Sequence, residues 1–291
     1  MQLVKHSKNI HELIINDSDE VKIAMLSDIH WDNPKCDWEI LKSHMDYFKK
    51  HNIPVIINGD FFCLMQGRGD NRRNKSDIRP EHNNFRYLDS IVETAVEWWE
   101  PYADILTLIG YGNHETGVIK YQETDILQRF VDLLNLKTGS KIQTGGYGGW
   151  IIARLGTRVI TTTKIKYFHG SGGGGIVTRG AINLTRALEM YEDFDVFSMG
   201  HIHENASRND VRDSITHSSA IGYEMKHRQI HMMLTGTYKE EYEDGHHGWH
   251  VERGAPPKPI GGRMLTIKNI RSYANGKDRV EKVIDSSKIV I

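Results

Sequence analysis

Polar residues scattered between positions 28 and 203 share one local context: each follows a short apolar run. Asp28 and His30 come after the run at 21–26, and Asp60 leaves the run at 54–57 behind Gly59. Asn113 and His114 sit beyond 105–109, His169 follows Tyr167-Phe168, and His201 and His203 follow 195–199 behind Gly200. Carboxylate and amide oxygens and imidazole nitrogens are all ligands for divalent cations, and an imidazole also moves protons. A lone histidine is more often a satisfied core or surface residue. Donors at i and i+2, repeated at successive run ends, are poorly explained by chance. With His114 set apart as the neighbour of Asn113, the remaining seven donors are too many for one ordinary zinc centre and suit two adjacent cations sharing a carboxylate, with Asp60 as the natural bridge.

Donors so far apart in the chain meet only if strands deliver them to one edge. In open α/β sheets ligands gather beyond the carboxyl ends of the strands, and the short apolar runs read as buried strands. Extended alternation aims Asp28 and His30 to one side, and likewise His201 and His203. Residues 37–50 read as an amphipathic helix burying Trp38, Leu41, Met45 and Phe48, and 85–100, 122–136 and 178–191 as further helices. Residues 150–155 and 158–168 are hairpin-like. Residues 1–20 are weakly patterned, an edge strand or arm, and the alternating runs within 205–291 complete a second sheet as antiparallel strands. The stretch 170–175 satisfies G-x-G-x-x-G, with Asp195 about twenty residues on. A dinucleotide fingerprint belongs in the first βα turn, whereas this stretch follows three βα units; a glycine nest for phosphate oxygens stays open.

Two loops frame the expected site. Residues 67–84 are rich in charge, and Arg68 and Arg72, with Arg179 further on, are candidate phosphate contacts set against a solvated loop. Residues 238–262 hold His246, His247 and His250; a loop near the site's rim is the better reading than an independent metal site, with Trp249 and Arg253 as candidate substrate contacts.

The chain has 291 residues, 38% of them hydrophobic, enough for a full α/β core and read as a single domain over 1–291. Lys and Arg number 37 against 38 Asp and Glu, so no global basic field advertises long duplex nucleic acid or a membrane surface. Its two cysteines, Cys36 and Cys63, cannot build a disulfide framework, no signal-like segment opens the chain, and no apolar run approaches the ~18 residues of a membrane span. The expected location is the cytoplasm.

In the order D-x-H, G-D, G-N-H-[ED], H and G-H-x-H, the motifs resemble those of the calcineurin-like metallophosphoesterases, and they span Asp28 to His203. The resemblance implies an α/β fold, a four-layer αββα sandwich of two mixed sheets with helices outside and a dinuclear site at one sheet edge. Carried over residue by residue, one metal takes Asp28, His30, Asp60 and His203, and the other Asp60, Asn113, His169 and His201, with His114 left unligated. Many relatives continue G-D-x-x-D, whereas this chain has Gly59-Asp60-Phe61-Phe62-Cys63; the departure concerns support around the site, not the ligands.

Two cations a few Å apart acidify a bridging water and stabilise the charge that grows on a phosphoryl group. His114 would then protonate the leaving oxygen or stabilise it, oriented by a carboxylate such as Asp28 or Glu115. Manganese is the working expectation for the metals, with iron, zinc and nickel also suited to imidazole and oxygen ligands. The expected activity is phosphodiester hydrolysis on nucleotides or nucleic-acid ends. The alternatives are a phosphomonoesterase or protein phosphatase, and a non-catalytic scaffold, which would show ligand substitutions that are absent here. No oligomeric state is read from the pattern.

Overall fold

A computed structural model of the protein describes residues 1–16, 18–64, 77–157, 159–218, 222–244, 249–252, 254–274 and 277–290. Among these residues two mixed sheets lie face to face. The six-stranded sheet runs β13 (Lys277–Lys288), β12 (Arg263–Ala274), β3 (Glu20–Leu26), β4 (Val55–Asn58), β5 (Leu106–Gly110), β6 (Gln143–Thr144). The seven-stranded sheet runs β1 (Gln2–Ser7), β2 (Ile10–Asn16), β7 (Gly148–Gly156), β8 (Thr161–Phe168), β9 (Val196–Met199), β11 (Gly222–Thr235), β10 (Asn205–Ser218).

Side-chain alternation sorts the apolar residues into three cores. In β3, Val21, Ile23 and Met25 point between the sheets with Ile56, Leu108, Ile151, Val196 and Met233, while Ala24 and Leu26 point outward. That outer face is covered by α1 (Trp38–Lys50), α2 (Tyr87–Trp99) and α4 (Ile126–Thr138), through Leu41, Met45, Phe48, Ile91, Trp99 and Phe130. On the far side, α5 (Ala181–Met190) sets Leu184 and Ala187 against Phe197, Met199 and Met232. The result is helix, sheet, sheet, helix. Asp37 caps α1 by accepting from Ile40 N at 2.9 Å, and Asp125 caps α4 by accepting from Gln128 N at 2.9 Å, so each helix starts where a side chain satisfies an orphan N–H.

What positions the site is strand direction. β3, β4 and β5 run parallel in one sheet, β8 and β9 run parallel in the other, and their carboxyl ends meet at one rim. Asn58 ties the two sheets there, its amide donating to Phe168 O at 2.9 Å and to Ser198 O at 3.3 Å.

The edge-strand reading of the weakly patterned start holds, since residues 2–16 form the antiparallel β1–β2 pair, with β1 at the sheet's edge and β2 parallel to β7. Two expectations are corrected. The helix expected over 122–136 is preceded by a separate one, α3 (Asn113–Gln122), which stops where Glu123 turns left-handed (φ 53°). The C-terminal strands do not complete one sheet: β10 and β11 extend the seven-stranded sheet through β9, whereas β12 and β13 extend the six-stranded sheet through β3.

Candidate metal centre

Each donor pair leaves its strand on a sharply turned backbone. Asp28, His30, Asp60, His201 and His203 all have positive φ, between 47° and 68°. For non-glycine residues this left-handed region is sparsely populated, and it clusters where a site demands it. Extended alternation is therefore not what brings Asp28 and His30, or His201 and His203, together. Successive left-handed turns do so, held by Asp28 N donating to Gly59 O at 3.1 Å and His30 N to Asp60 O at 3.1 Å. The glycines before the donors are obligatory because the chain comes so close. A Cβ on Gly112 would stand 2.0 Å from Asp60 Oδ1, and one on Gly200 would stand 2.6 Å from Asp28 Oδ2.

The side chains converge as two groups, Asp28 with His30 and His203, and Asp60 with His169 and His201, the ligand atoms within each group lying within 4.8 Å of one another. His203 Nε2 is 3.3 Å from Asp28 Oδ1 and 3.4 Å from His30 Nε2. His169 Nε2 is 3.2 Å from Asp60 Oδ2 and 3.2 Å from Asn113 Oδ1, so Asn113 joins the second group. The ring of His169 is set by Nδ1–H donating to Asn58 O at 2.9 Å, which leaves Nε2 as the nitrogen turned into the site. Asp28 Oδ2 accepts from His201 N at 2.8 Å and from Ser27 Oγ. Its Oδ1 is buried with no hydrogen-bond partner among the described residues.

These observations fit the binding of divalent cations. Asp28 and Asp60 are 0% and 2% exposed, and the groups facing them are mainly imidazoles. Buried carboxylates need a compensating charge. Two imidazole nitrogens 3.4 Å apart with an orphaned carboxylate oxygen beside them are arranged as lone pairs around a common cation. Burial opposes the charged form of Asp60, but His169 and His114 outweigh it and hold the carboxyl well below its usual range. Burial likewise opposes the charged form of His169, and Asp60 reverses this, raising the imidazole to about 10. His30 moves the other way, lowered well below the ordinary value by burial and then by His114, which keeps it neutral and able to donate a lone pair.

His114 lies at the start of α3, 12% exposed, with Nε2 3.8 Å from Asp60 Oδ2. Its orientation comes from neither Asp28 nor Glu115. Nδ1 faces the Cys63 carbonyl, while Glu115 accepts from the backbone N–H groups of Asp60 (3.2 Å), Phe62 (2.9 Å) and Gly112 (2.8 Å). A third group of possible ligand atoms is formed by His30, Cys63 and His114, although burial pushes the Cys63 thiol up to about 12. Asp32 supports the turn after Asp60, accepting from Cys63 N and, at 2.9 Å, from Leu64 N.

Sequence reasoning missed Ser27, Asn58 and Asp32, whose partners lie far along the chain; only their places beside donor motifs could have signalled them. Of the expected phosphate contacts, Arg68 and Arg72 lie outside the described residues, as do His246, His247, Arg253 and the Trp249 side chain. Arg179 is exposed and left-handed (φ 42°), its N–H donating to Gly175 O at 2.8 Å. Arg79, at the end of the basic loop, is stacked 5.1 Å from the Trp31 ring centre and 4.2 Å from that of Trp38 and paired with Glu81, a packing role.

No family model matches the chain, and no curated protein matches it. Solved structures similar to it include vacuolar protein sorting 29 from Cryptosporidium parvum, 11% identical over 92% of this chain and 99% of that one, with a TM-score of 0.34. Another is the Thermotoga maritima protein TM1076, 13% identical over 90% of this chain and 98% of that one, TM-score 0.29. A third is GAP50, described as the anchor in the inner membrane complex of Plasmodium, 11% identical over 94% of this chain and 89% of that one, TM-score 0.38. Likenesses at these TM-scores carry no argument here; the sandwich architecture rests on the sheets themselves.

Proposed function

We propose that the protein is a metal-dependent phosphoesterase that hydrolyses phosphodiesters of nucleotides or nucleic-acid ends, with two divalent cations, manganese first among them, and a cytoplasmic location. The observation that carries the reading is the pair of converging donor groups, Asp28, His30 and His203 beside Asp60, His169 and His201. Asp60 lies 3.2 Å from His169 Nε2 and 3.8 Å from Nε2 of His114, the candidate general acid. When bound, two such cations supply an activated water and charge stabilisation at the phosphoryl group. The chain's own residues hold and orient the substrate and handle the leaving-group proton. With Nδ1–H given to the Cys63 carbonyl, the proton for a leaving oxygen comes from Nε2 of the His114 imidazolium. Asn113 and His114 open a ten-residue helix, and the His114 N–H donates to Asp60 Oδ1 at 3.0 Å, so the start of α3 favours the ionised carboxylate.

Hydrolysis of bis-(p-nitrophenyl) phosphate and p-nitrophenyl phosphate, measured side by side with Mn, Zn, Ni and Mg, tests this reading. Diester turnover that requires a transition metal and is lost in Asp60→Asn is expected. Preference for the monoester moves the substrate class to phosphomonoesters, and turnover undiminished in Asp60→Asn overturns the dinuclear assignment. Replacing His114 by Asn is expected to lower kcat by about 10²-fold, the usual weight of a general acid, with metal content unchanged on elemental analysis. Loss of a metal would make His114 a ligand instead.

A further inference from the structure

Cys63 brings sulfur to the edge of a site otherwise built from nitrogen and oxygen. It stands three residues past Asp60, and its thiol forms a group with His30 and His114 in which one ligand atom from each residue lies within 4.8 Å of the others. The three come from separate stretches, beyond β3, beyond β4 and at the start of α3. The rings of His30 and His114 meet edge to face with their centres 4.8 Å apart.

The surroundings of the group favour ligation. Asn33, fully buried, donates from Nδ2 to Cys63 Sγ at 3.2 Å, while its Oδ1 accepts from Lys35 N at 2.9 Å and so fixes the amide with its donor toward sulfur. Hydrogen bonds from neighbours orient and tune the ligands of metal sites. The Nε2 of buried His30 faces His203 Nε2 at 3.4 Å, but its Nδ1 is buried with no hydrogen-bond partner among the described residues. With Nδ1–H given to the Cys63 carbonyl, a neutral His114 carries its lone pair on Nε2. Tetrahedral zinc holds sulfur at about 2.3 Å and imidazole nitrogen at about 2.0 Å, which sets donors about 3.3–3.6 Å apart, so the widest gap closes by about 1–1.5 Å. Thiolate with two imidazoles suits zinc and its softer relatives, whereas manganese prefers oxygen-rich sites.

We propose that His30, Cys63 and His114 form an alternative site for a soft divalent cation of the zinc class, filled at the expense of the cation held by Asp28, His30 and His203. On binding, the Cys63 S–H bond breaks, a sulfur–metal bond forms and the proton leaves to solvent, with no change of oxidation state. A neutral imidazole has one lone pair, so His30 serves one cation at a time. The soft cation also takes Nε2 of His114. Where the phosphoesterase reading holds, the protein loaded in this way is silent, because it lacks one cation and its proton donor together.

The test titrates cadmium into the full chain loaded with Mn, reading thiolate-to-cadmium absorption in the ultraviolet and free manganese by electron paramagnetic resonance. In wild type the thiolate band is expected to grow with one manganese released for each cadmium bound. Cys63→Ser loses the band and needs about tenfold more cadmium to release manganese, whereas Cys36→Ser, whose thiol lies outside the group, titrates like wild type. Asn33→Ala weakens cadmium binding about tenfold, as loss of a ligand's hydrogen-bond partner does. His114→Asn also weakens cadmium binding yet keeps its manganese, which separates this site from the Asp28 group. The diester rate of each protein, compared with and without one equivalent of cadmium, falls in wild type and holds in Cys63→Ser. Manganese release without a thiolate band, a band that survives Cys63→Ser, a band with all manganese retained, or cadmium affinity unaltered in His114→Asn would each overturn the proposal. Cys63→Ala replaces Cys63→Ser if the latter does not fold. If neither nitrophenyl ester is hydrolysed, the phosphoesterase reading fails, while the band and the manganese release still decide the soft site.

Discussion

Glu115 shows how one side chain shapes the centre without facing it. At 2% exposure it gathers the N–H groups of Gly112, Asp60 and Phe62, joining the turn after β4 to the start of α3. Burial, and then the charge of Asp60, push its carboxyl up to about 8, while the N–H groups of Phe62 and Gly112 pull toward the ionised form. Replacing it with Ala leaves buried backbone donors unpaired at about 1–3 kcal/mol for each unsatisfied group. Glu115→Ala is accordingly expected to lower the unfolding free energy in urea by at least that amount and to weaken metal binding through Asp60. Stability and metal affinity both equal to wild type would show that the three contacts are incidental.

At the scale of elements, the decisive feature is the turn that ends each strand. A strand supplies direction; the left-handed residues and glycines that follow decide where the donor atom points. Gly112 admits Asp60 so closely that any Cβ would stand 2.0 Å from its Oδ1 and 2.3 Å from its backbone N, so Gly112→Ala must displace the Asp60 backbone or the start of α3. Overpacking of this kind costs about 1–3 kcal/mol. The expected outcome is a variant that folds, with lowered stability and a larger proportional loss of metal affinity, read by metal titration of the stripped protein. The same turns explain why the alternation expected for Asp28 and His30 reached the right convergence through the wrong geometry: both have φ of 50° and neither is extended.

For the whole molecule, sandwiching four layers buries groups that titrate near neutrality. His44 on α1 is 5% exposed, its Nδ1 2.9 Å from Tyr238 Oη, and burial lowers its pKa to about 4. The unfolded chain takes up this proton near 6.5, whereas the folded chain resists it until about 4. Stability from His44 is thus present above pH 6.5 and lost as the pH falls toward 4, by about 3 kcal/mol at 1.36 kcal/mol for each pKa unit. His44→Gln is expected to flatten the pH dependence of unfolding over that range by a similar amount, and identical profiles for the two proteins would refute the burial penalty. Among the described residues no helix is long and apolar enough to cross a membrane.

What the sequence determined by itself was the set of donors, the strands that end in them, and the helices whose apolar faces repeat at helical spacing. Those follow from local chemistry: a metal site needs nitrogen and oxygen donors, and a buried strand or helix face needs apolar side chains. Strand partnership was decided only by tertiary structure. The pairing of β1 with β2, and the division of the last four strands between two sheets, depend on which edges are open once the core has formed. The supports also waited for the fold. Ser27 meets Thr235 at 2.6 Å and Asn58 meets Phe168 O at 2.9 Å across long sequence separations, and no local pattern encodes a hydrogen bond whose two ends are brought together by packing.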